Sequence, residues 1–335
     1  AIVVDLRKNT SGNYEQAVKT LDVFVPMSDA QRAAATVFDE NGNQIDFTGY
    51  RADAINDFAI EYINNRTEDN ETPFFMFVSQ LEPHHQNDRK AFEGFKETID
   101  NYKDYPIPED LRFLKGDYKK EYPDYLSAIN RIDYNLGKLI EALKEKGLYD
   151  NTIIIYTSDH GCHFKTRNIE YKRSCHESSI HTPLVIGGGA FKRGIVDNRL
   201  VSLIDLPPTM LDFAGIYIPS FFSGISILEQ EEKGTERENV FIQISESQVG
   251  RAIRTKKYKY SVRAFGNGCT KKDSKVYYED YLYDLENDPY EKMNLANDKN
   301  FKEIRKTLSK QLTDEMEKAW ELKPKIRPAI FKRKK

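Results

Sequence analysis

All six histidines of the chain fall in two short clusters, and each cluster follows an apolar run of strand length. His84 and His85 come after Pro73-Phe-Phe-Met-Phe-Val-Ser79, and His160, His163, His176 and His181 come after Asn151-Thr-Ile-Ile-Ile-Tyr-Thr-Ser158. Imidazole is the side chain best suited to proton transfer near neutrality, and it ligates metals. Two loops that carry every imidazole of the chain point to one active site.

Within the second cluster, Ser158-Asp159-His160-Gly161 places a carboxylate and an imidazole side by side at a strand tip. One reading is a metal site, with Asp159 ligating through oxygen and His160 through nitrogen; the other is an Asp turn followed by a capping His. Calcium and magnesium prefer all-oxygen shells, whereas zinc and manganese accept imidazole more readily. Two ligands are too few for any of these ions, so the site needs donors from elsewhere. The loop over 161–181 is too long for a simple connection, which itself suggests function. It contains Lys172, which could hold an anion as a point charge or be an ordinary solvated lysine. In the same loop His176 and Glu177 could orient one another, and a structural role is preferred for Glu177. In Glu82-Pro83-His84-His85, the proline stiffens the exit from the strand and aims the pair. Either imidazole could be a general acid towards a leaving group, or simply a satisfied hydrogen-bonding residue.

The elements that position these loops are visible in the apolar pattern. Runs over 73–79 and 152–157 do not alternate, the mark of strands covered on both faces. Before the first of them a stripe on Ala52–Asn64 predicts a helix. A second helix, opened by Pro123 and stopped at Gly147, carries Leu126, Ile129, Ile132, Leu136, Leu139 and Leu143. Leu184-Val-Ile186 is a third short strand, followed by a helix over Leu206 to Gly215. Residues 1–50 read as irregular, with a turn at Phe38-Asp-Glu-Asn-Gly-Asn-Gln. This order predicts an open α/β sheet, in which ligands bind beyond the carboxyl ends of the strands. Past 228 the pattern changes to alternating segments at Val240–Ile244, Val249–Arg254, Tyr258–Val262 and Val276–Tyr283, an antiparallel sheet. A final amphipathic helix follows, carrying Phe301, Ile304, Leu308, Leu312, Met316 and Trp320. The expected division is 1–228 for the larger α/β unit and 229–335 for a smaller α+β unit.

Composition bounds the remaining classes. The 335 residues carry 50 basic and 53 acidic side chains, a formal net charge of -3. That balance gives no general attraction to nucleic acid, and the basic tail Phe331-Lys-Arg-Lys-Lys335 reads as a solvated terminus. No apolar run approaches the ~20 residues that span a bilayer, and no signal peptide is visible. The chain starts Ala1-Ile-Val-Val without an initiating Met and reads as processed, truncated or excerpted. Cys162, Cys175 and Cys269 are too few for a disulfide scaffold, although Cys162 and Cys175 flank one loop and could pair. Sequons stand at Asn9, Asn65 and Asn70. There is no glycine-rich phosphate loop, no dinucleotide fingerprint and no G-x-S-x-G elbow.

Taken together, Tyr125-Leu-Ser-Ala-Ile-Asn-Arg-Ile-Asp-Tyr-Asn-Leu-Gly137, Gly147-Leu-Tyr-Asp-Asn-Thr and Thr157-Ser-Asp-His-Gly161 resemble the sulfatase family of the alkaline-phosphatase superfamily in order and spacing. Lys172, eleven residues before Pro183, sits where that family has its sulfate-binding lysine. Pro83-His84 resembles its Pro-His motif, whose histidine meets the sulfate and the leaving group. Arg254-Thr-Lys-Lys-Tyr-Lys-Tyr260 and Leu282-Tyr-Asp-Leu-Glu-Asn-Asp-Pro-Tyr-Glu291 are similar to its C-terminal subdomain. The likeness runs from about residue 20 to 320.

This resemblance implies an alkaline-phosphatase-like α/β sheet flanked by helices, with a smaller C-terminal α+β subdomain. It implies hydrolysis of a sulfate ester on a carbohydrate, so that a sulfated saccharide is the expected partner. Catalytic roles fall on His84 and Lys172. Asp159 and His160 would hold one divalent ion, Ca2+, and His85, His176 and His181 would read the sugar. The family nucleophile is a formylglycine made in a Cys-x-Pro-Ser-Arg motif, which this sequence lacks, as it lacks the paired aspartates of the metal site. Both lie in a segment that precedes the matched region in the family, so the first third of the protein is expected to lie outside this chain, and the chain alone is expected to be inactive. Other departures are Pro-His-His-Gln for Pro-His-x-Pro, and His181 in place of the arginine of Glu-(x)3-Arg-x-Pro. His160 stands where the family often has Asn. The rival readings are a phosphodiesterase or phosphonate hydrolase of the same superfamily, and an inactive sugar-binding fragment. Family habit favours secretion or a periplasm.

Overall fold

The computed structural model describes residues 2–5, 37–38, 44–45, 49–66, 73–87, 89–188, 194–234, 236–266 and 268–330. The central strand is Thr152–Thr157, and its three isoleucines explain the sheet. Ile154 faces a core made with the helices Arg51–Asn64 and Tyr118–Glu145, through Ala59, Ile63, Leu139 and Leu143. Ile153 and Ile155 face the opposite core, with Leu206, Met210 and Phe213 of the helix Leu206–Phe213 and with Ile227. Successive strand residues point to opposite faces, so a strand covered on both faces must be apolar at every position. Fully burying each such isoleucine contributes roughly 1.5–3 kcal/mol.

Four strands form this sheet in the order Phe75–Phe77, Ile2–Asp5, Thr152–Thr157, Leu184–Gly188. Every neighbouring pair is antiparallel. Phe75–Phe77 and Thr152–Thr157 therefore run the same way, and Ile2–Asp5 lies between them. This strand falls in the stretch read as irregular. Its β-branched Ile2-Val3-Val4 run is too short to show a period, and only its two partners make it a strand.

The second sheet has five strands in the order Lys325–Arg327, Val276–Asp284, Tyr258–Ala264, Val249–Thr255, Asn239–Ile244. The four longer strands are antiparallel to their neighbours, as the alternation predicted, and the short Lys325–Arg327 adds a parallel edge. The helix Lys302–Lys318 lays Leu308, Leu312 and Met316 on Ile253, Tyr260, Val262 and Leu282.

Several expectations are corrected. Trp320 does not continue the apolar stripe; it follows the helix end with φ of 62° and is 97% exposed. Pro123 does not open its helix, which starts at Tyr118 and holds the proline in its second turn. Cys162 and Cys175 are both free, because they pack in different cores, Cys162 beside Phe164 and Tyr125, Cys175 beside Ile244 and Tyr281. Hairpin strands Val37–Phe38 and Gln44–Ile45 flank the expected turn, whose residues 39–43 lie outside the described ones, as do Asn9, Asn70 and the tail 331–335. Among the described residues no helix is long and apolar enough to cross a membrane.

Candidate active site

The two histidine loops meet at Lys172. Its Nζ lies 3.1 Å from Nε2 of His84 and 2.7 Å from Nε2 of His160. Both imidazoles are held by the same device: Nδ1 of His84 donates to the His85 carbonyl at 2.7 Å, and Nδ1 of His160 donates to the Gly161 carbonyl at 2.8 Å. A ring that donates through Nδ1 presents Nε2 as its acceptor, so one ammonium bridges two lone pairs. Burial, and then the Lys172 charge, hold His84 below the ordinary histidine range, which favours its neutral form. Burial likewise lowers the Lys172 ammonium, with Asp159 opposing the shift.

Each side chain is fixed by its loop. His84 follows a turn closed by its N–H to the Leu81 carbonyl at 2.8 Å and by the cis Glu82–Pro83 bond. Glu82 is anchored by Arg51 at 2.8 Å, at the start of the first long helix. On the other side Ser158 Oγ donates to the His160 carbonyl at 2.9 Å, and the Gly161 N–H donates to the Ser179 carbonyl at 2.8 Å. A Cβ on Gly161 would lie 2.3 Å from the Ser178 carbonyl oxygen, so this approach requires glycine. The backbone of Lys172 is held by His163, whose N–H donates to the Tyr171 carbonyl at 2.8 Å and whose Nε2 donates to the Lys172 carbonyl at 3.1 Å. Asn168 Nδ2 donates to the same carbonyl at 3.1 Å. His163 is fully buried, and burial depresses it to about 4. The length of the loop advertised function in the sequence; the supporting parts played by His163 and Asn168 were not assigned, since they depend on where the loop folds back.

Asp159 stands beside His160, with Oδ1 accepting the His160 N–H at 3.0 Å and Oδ2 lying 3.3 Å from His160 Nε2. Its side chain is 84% exposed. The pair presents one hard oxygen and one imidazole nitrogen, as two members of a metal shell would. Among the described residues no group of three or more His, Cys, Asp or Glu is placed to hold an ion. Because calcium takes about six to eight oxygen ligands, the described residues fit only a part of its shell.

The remaining sequence candidates separate. His85 is 8% exposed, stacked on Tyr171 with ring centroids 4.1 Å apart. His176 is 1% exposed, edge-on to Tyr281 at 4.7 Å, and shares a hydrogen bond with the Tyr283 hydroxyl at 3.1 Å. Its place is a core position against the second sheet, which corrects the expectation of a sugar contact. His181 is exposed, with Nδ1 3.3 Å from Glu177 Oε2. The Glu177 hydrogen bond raises His181 above the ordinary range. Burial opposes ionisation of Glu177, but His181, Lys259 and Arg254 together hold its carboxyl well below the usual carboxylate range. Glu177 thus has the structural role the sequence suggested. Its buried partner Lys259 was missed, because a lysine in an alternating strand gives no signal of facing a carboxylate far away in the chain.

The model of the sulfatase family matches residues 7–216, well over half of the chain. The chain belongs to the sulfatase family. A second model, described as the C-terminal region of N-sulphoglucosamine sulphohydrolase, matches residues 168–318. An arylsulfatase of Clostridium perfringens is 30% identical over 295 residues, covering 76% of this chain and 56% of the relative. A putative sulfatase from Bacteroides fragilis has a solved structure with a TM-score of 0.68 at 25% identity, covering 85% of this chain and 63% of that one. Another solved structure, described as a complex with its substrate D-glucosamine-2-N,6-O-disulfate, shares the fold with a TM-score of 0.62 at 22% identity, covering 83% of this chain and 71% of that one. This chain spans about half the length of the curated relatives it matches. These neighbours share the α/β fold, as the resemblance implied.

Proposed function

We propose that this chain serves a sulfuric ester hydrolase acting on a sulfated saccharide. The observation that carries the reading is the Lys172 ammonium held between His84 and His160, in a member of the sulfatase family. The saccharide is suggested by the disulfated glucosamine named for one neighbour of this fold.

In this reading Lys172 turns its protons from the two imidazoles to the oxygens of the bound sulfate ester. A transferring SO3 group resembles a transferring phosphoryl group, so positioning and charge stabilisation supply much of the catalysis. Displacement breaks the bond from sulfur to the ester oxygen, and the departing oxygen needs a proton. His84 donates through Nδ1 to its neighbour's carbonyl, so only protonation at Nε2 would make it the donor to that oxygen. Lys172, whose Nζ touches this Nε2, is the adjacent source of the proton. The resemblance assigns the nucleophile to formylglycine and the ion to calcium, with Asp159 and His160 as two of its ligands. Bound calcium would supply positive charge beside the sulfate.

Sulfate release from a sulfated disaccharide by the full-length protein tests the reading. Replacing Lys172 by Ala should lower kcat by about 10²–10³, the magnitude of losing one preorganised donor to developing charge. Asp159→Ala should lower bound calcium together with turnover. Unchanged turnover in both variants would remove the assignment.

A further inference from the structure

A cleft of about 450 Å³ is lined by His85, Lys90, Lys119, Lys120, Lys165 and Tyr171. That is within the ordinary range for ligand pockets. Two of its lining residues adjoin the candidate active site in the chain, His85 next to His84 and Tyr171 next to Lys172. Two carboxylates also line it, and each is taken: Asp117 pairs with Lys165 at 2.7 Å, and Glu121 with Lys120 at 2.9 Å. Among the described residues Lys90 and Lys119, both exposed, have no ion-pair partner. The cleft therefore carries an excess of two positive charges.

A second observation points to a ligand. His85 is held between Tyr171 and Phe92, and its Nδ1 donates to Asn87 Oδ1 at 3.2 Å. That leaves Nε2 as an acceptor, buried, with no hydrogen-bond partner among the described residues. Buried polar atoms are ordinarily paired, and this orphaned acceptor belongs to a residue that lines the cleft, so it suits a hydroxyl donor. The Tyr171 ring is already engaged by His85 and by Lys165 Nζ, 4.6 Å from its centroid, so recognition in this cleft falls to charge and hydrogen bonding.

We propose that this cleft is a second anion-binding subsite. It takes a further sulfate or carboxylate of the saccharide whose scissile sulfate meets Lys172, while His85 Nε2 accepts a hydroxyl of the same ligand. The substrate class is then a polyanionic saccharide. This assignment rests on the hydrolase reading for the position of the scissile group, but its test is binding, which that reading does not determine.

Calorimetric titration would compare two disaccharides that differ by one sulfate, one monosulfated and one disulfated, on this chain. Wild type should bind the disulfated probe about three- to tenfold more tightly, the sum expected of two exposed charge contacts. The exposed double variant Lys90→Ala/Lys119→Ala should erase that preference and leave the monosulfated probe within about twofold of wild type. Equal affinities in wild type, no binding of either probe, or a preference that survives the double variant would each overturn the subsite. A preference lost with the two lysines supports it even if the full-length protein releases no sulfate, in which case the hydrolase reading fails alone.

Discussion

Lys259 of the second sheet donates to Glu177 Oε1 at 2.7 Å, and so ties that sheet to the loop that carries Lys172. The ammonium is fully buried and also meets Glu291, whose Oε2 accepts the Glu177 N–H at 2.9 Å. One buried cation thus serves two carboxylates from distant parts of the chain.

Lys259→Met should be strongly destabilising, by about 3–5 kcal/mol, since breaking a buried pair leaves the opposite charge uncompensated. Denaturant unfolding of the variant measures this. A loss below about 1 kcal/mol, typical of an exposed pair, would show that the network is hydrated.

The buried His163 predicts a pH dependence. Its folded-state value is depressed to about 4 from an ordinary 6.5. Between these values the unfolded chain binds a proton that the folded chain does not. The contribution is therefore complete above pH 6.5 and is lost as pH falls towards 4. It amounts to about 3 kcal/mol. Stability curves of wild type and His163→Gln should converge by that amount over this window; parallel curves would place the imidazole in water.

At His181 the sign is opposite. Its hydrogen bond to Glu177 raises it, so the stabilisation is present below the unfolded value and disappears as pH rises through the folded one. In an NMR titration His181 should stay protonated above the ordinary histidine range, and Glu177→Gln should bring it back down. No change in the variant would detach the two residues.

Gly161→Ala puts a methyl 2.3 Å from the Ser178 oxygen. Since Gly161 also supplies the carbonyl that orients His160, turnover by the full-length protein should fall, and the Nδ1 proton signal of His160 should shift. A variant indistinguishable from wild type in both would mean that the loop can give way.

How much of this was legible in the sequence depends on the range of the interaction that decides each feature. The strand Thr152–Thr157 and the residues released at its tip could be read because three consecutive isoleucines require cover on both faces. The meeting of His84, His160 and Lys172 followed from two loops leaving strands that run the same way in one sheet, with Ile2–Asp5 between them. His176 and His181 lie five residues apart and look alike in sequence, yet Tyr281 and Tyr283 bury the first and leave the second in solvent. Contacts from over a hundred residues away carry no local signal. For the same reason Ile2–Asp5 passed as irregular; Trp320 passed as part of a stripe because its helix ends at Lys318, two residues before it.

The central claim is that Lys172 and the two imidazoles it bridges form one sulfate pocket. Titrating inorganic sulfate into the ¹⁵N-histidine-labelled chain tests it most directly, because sulfate should draw the ammonium away from Nε2 of His84 and His160. The account predicts saturable shifts of both Nε2 resonances, abolished in Lys172→Ala. Shifts that persist in that variant, or an absence of any shift in wild type, would contradict it.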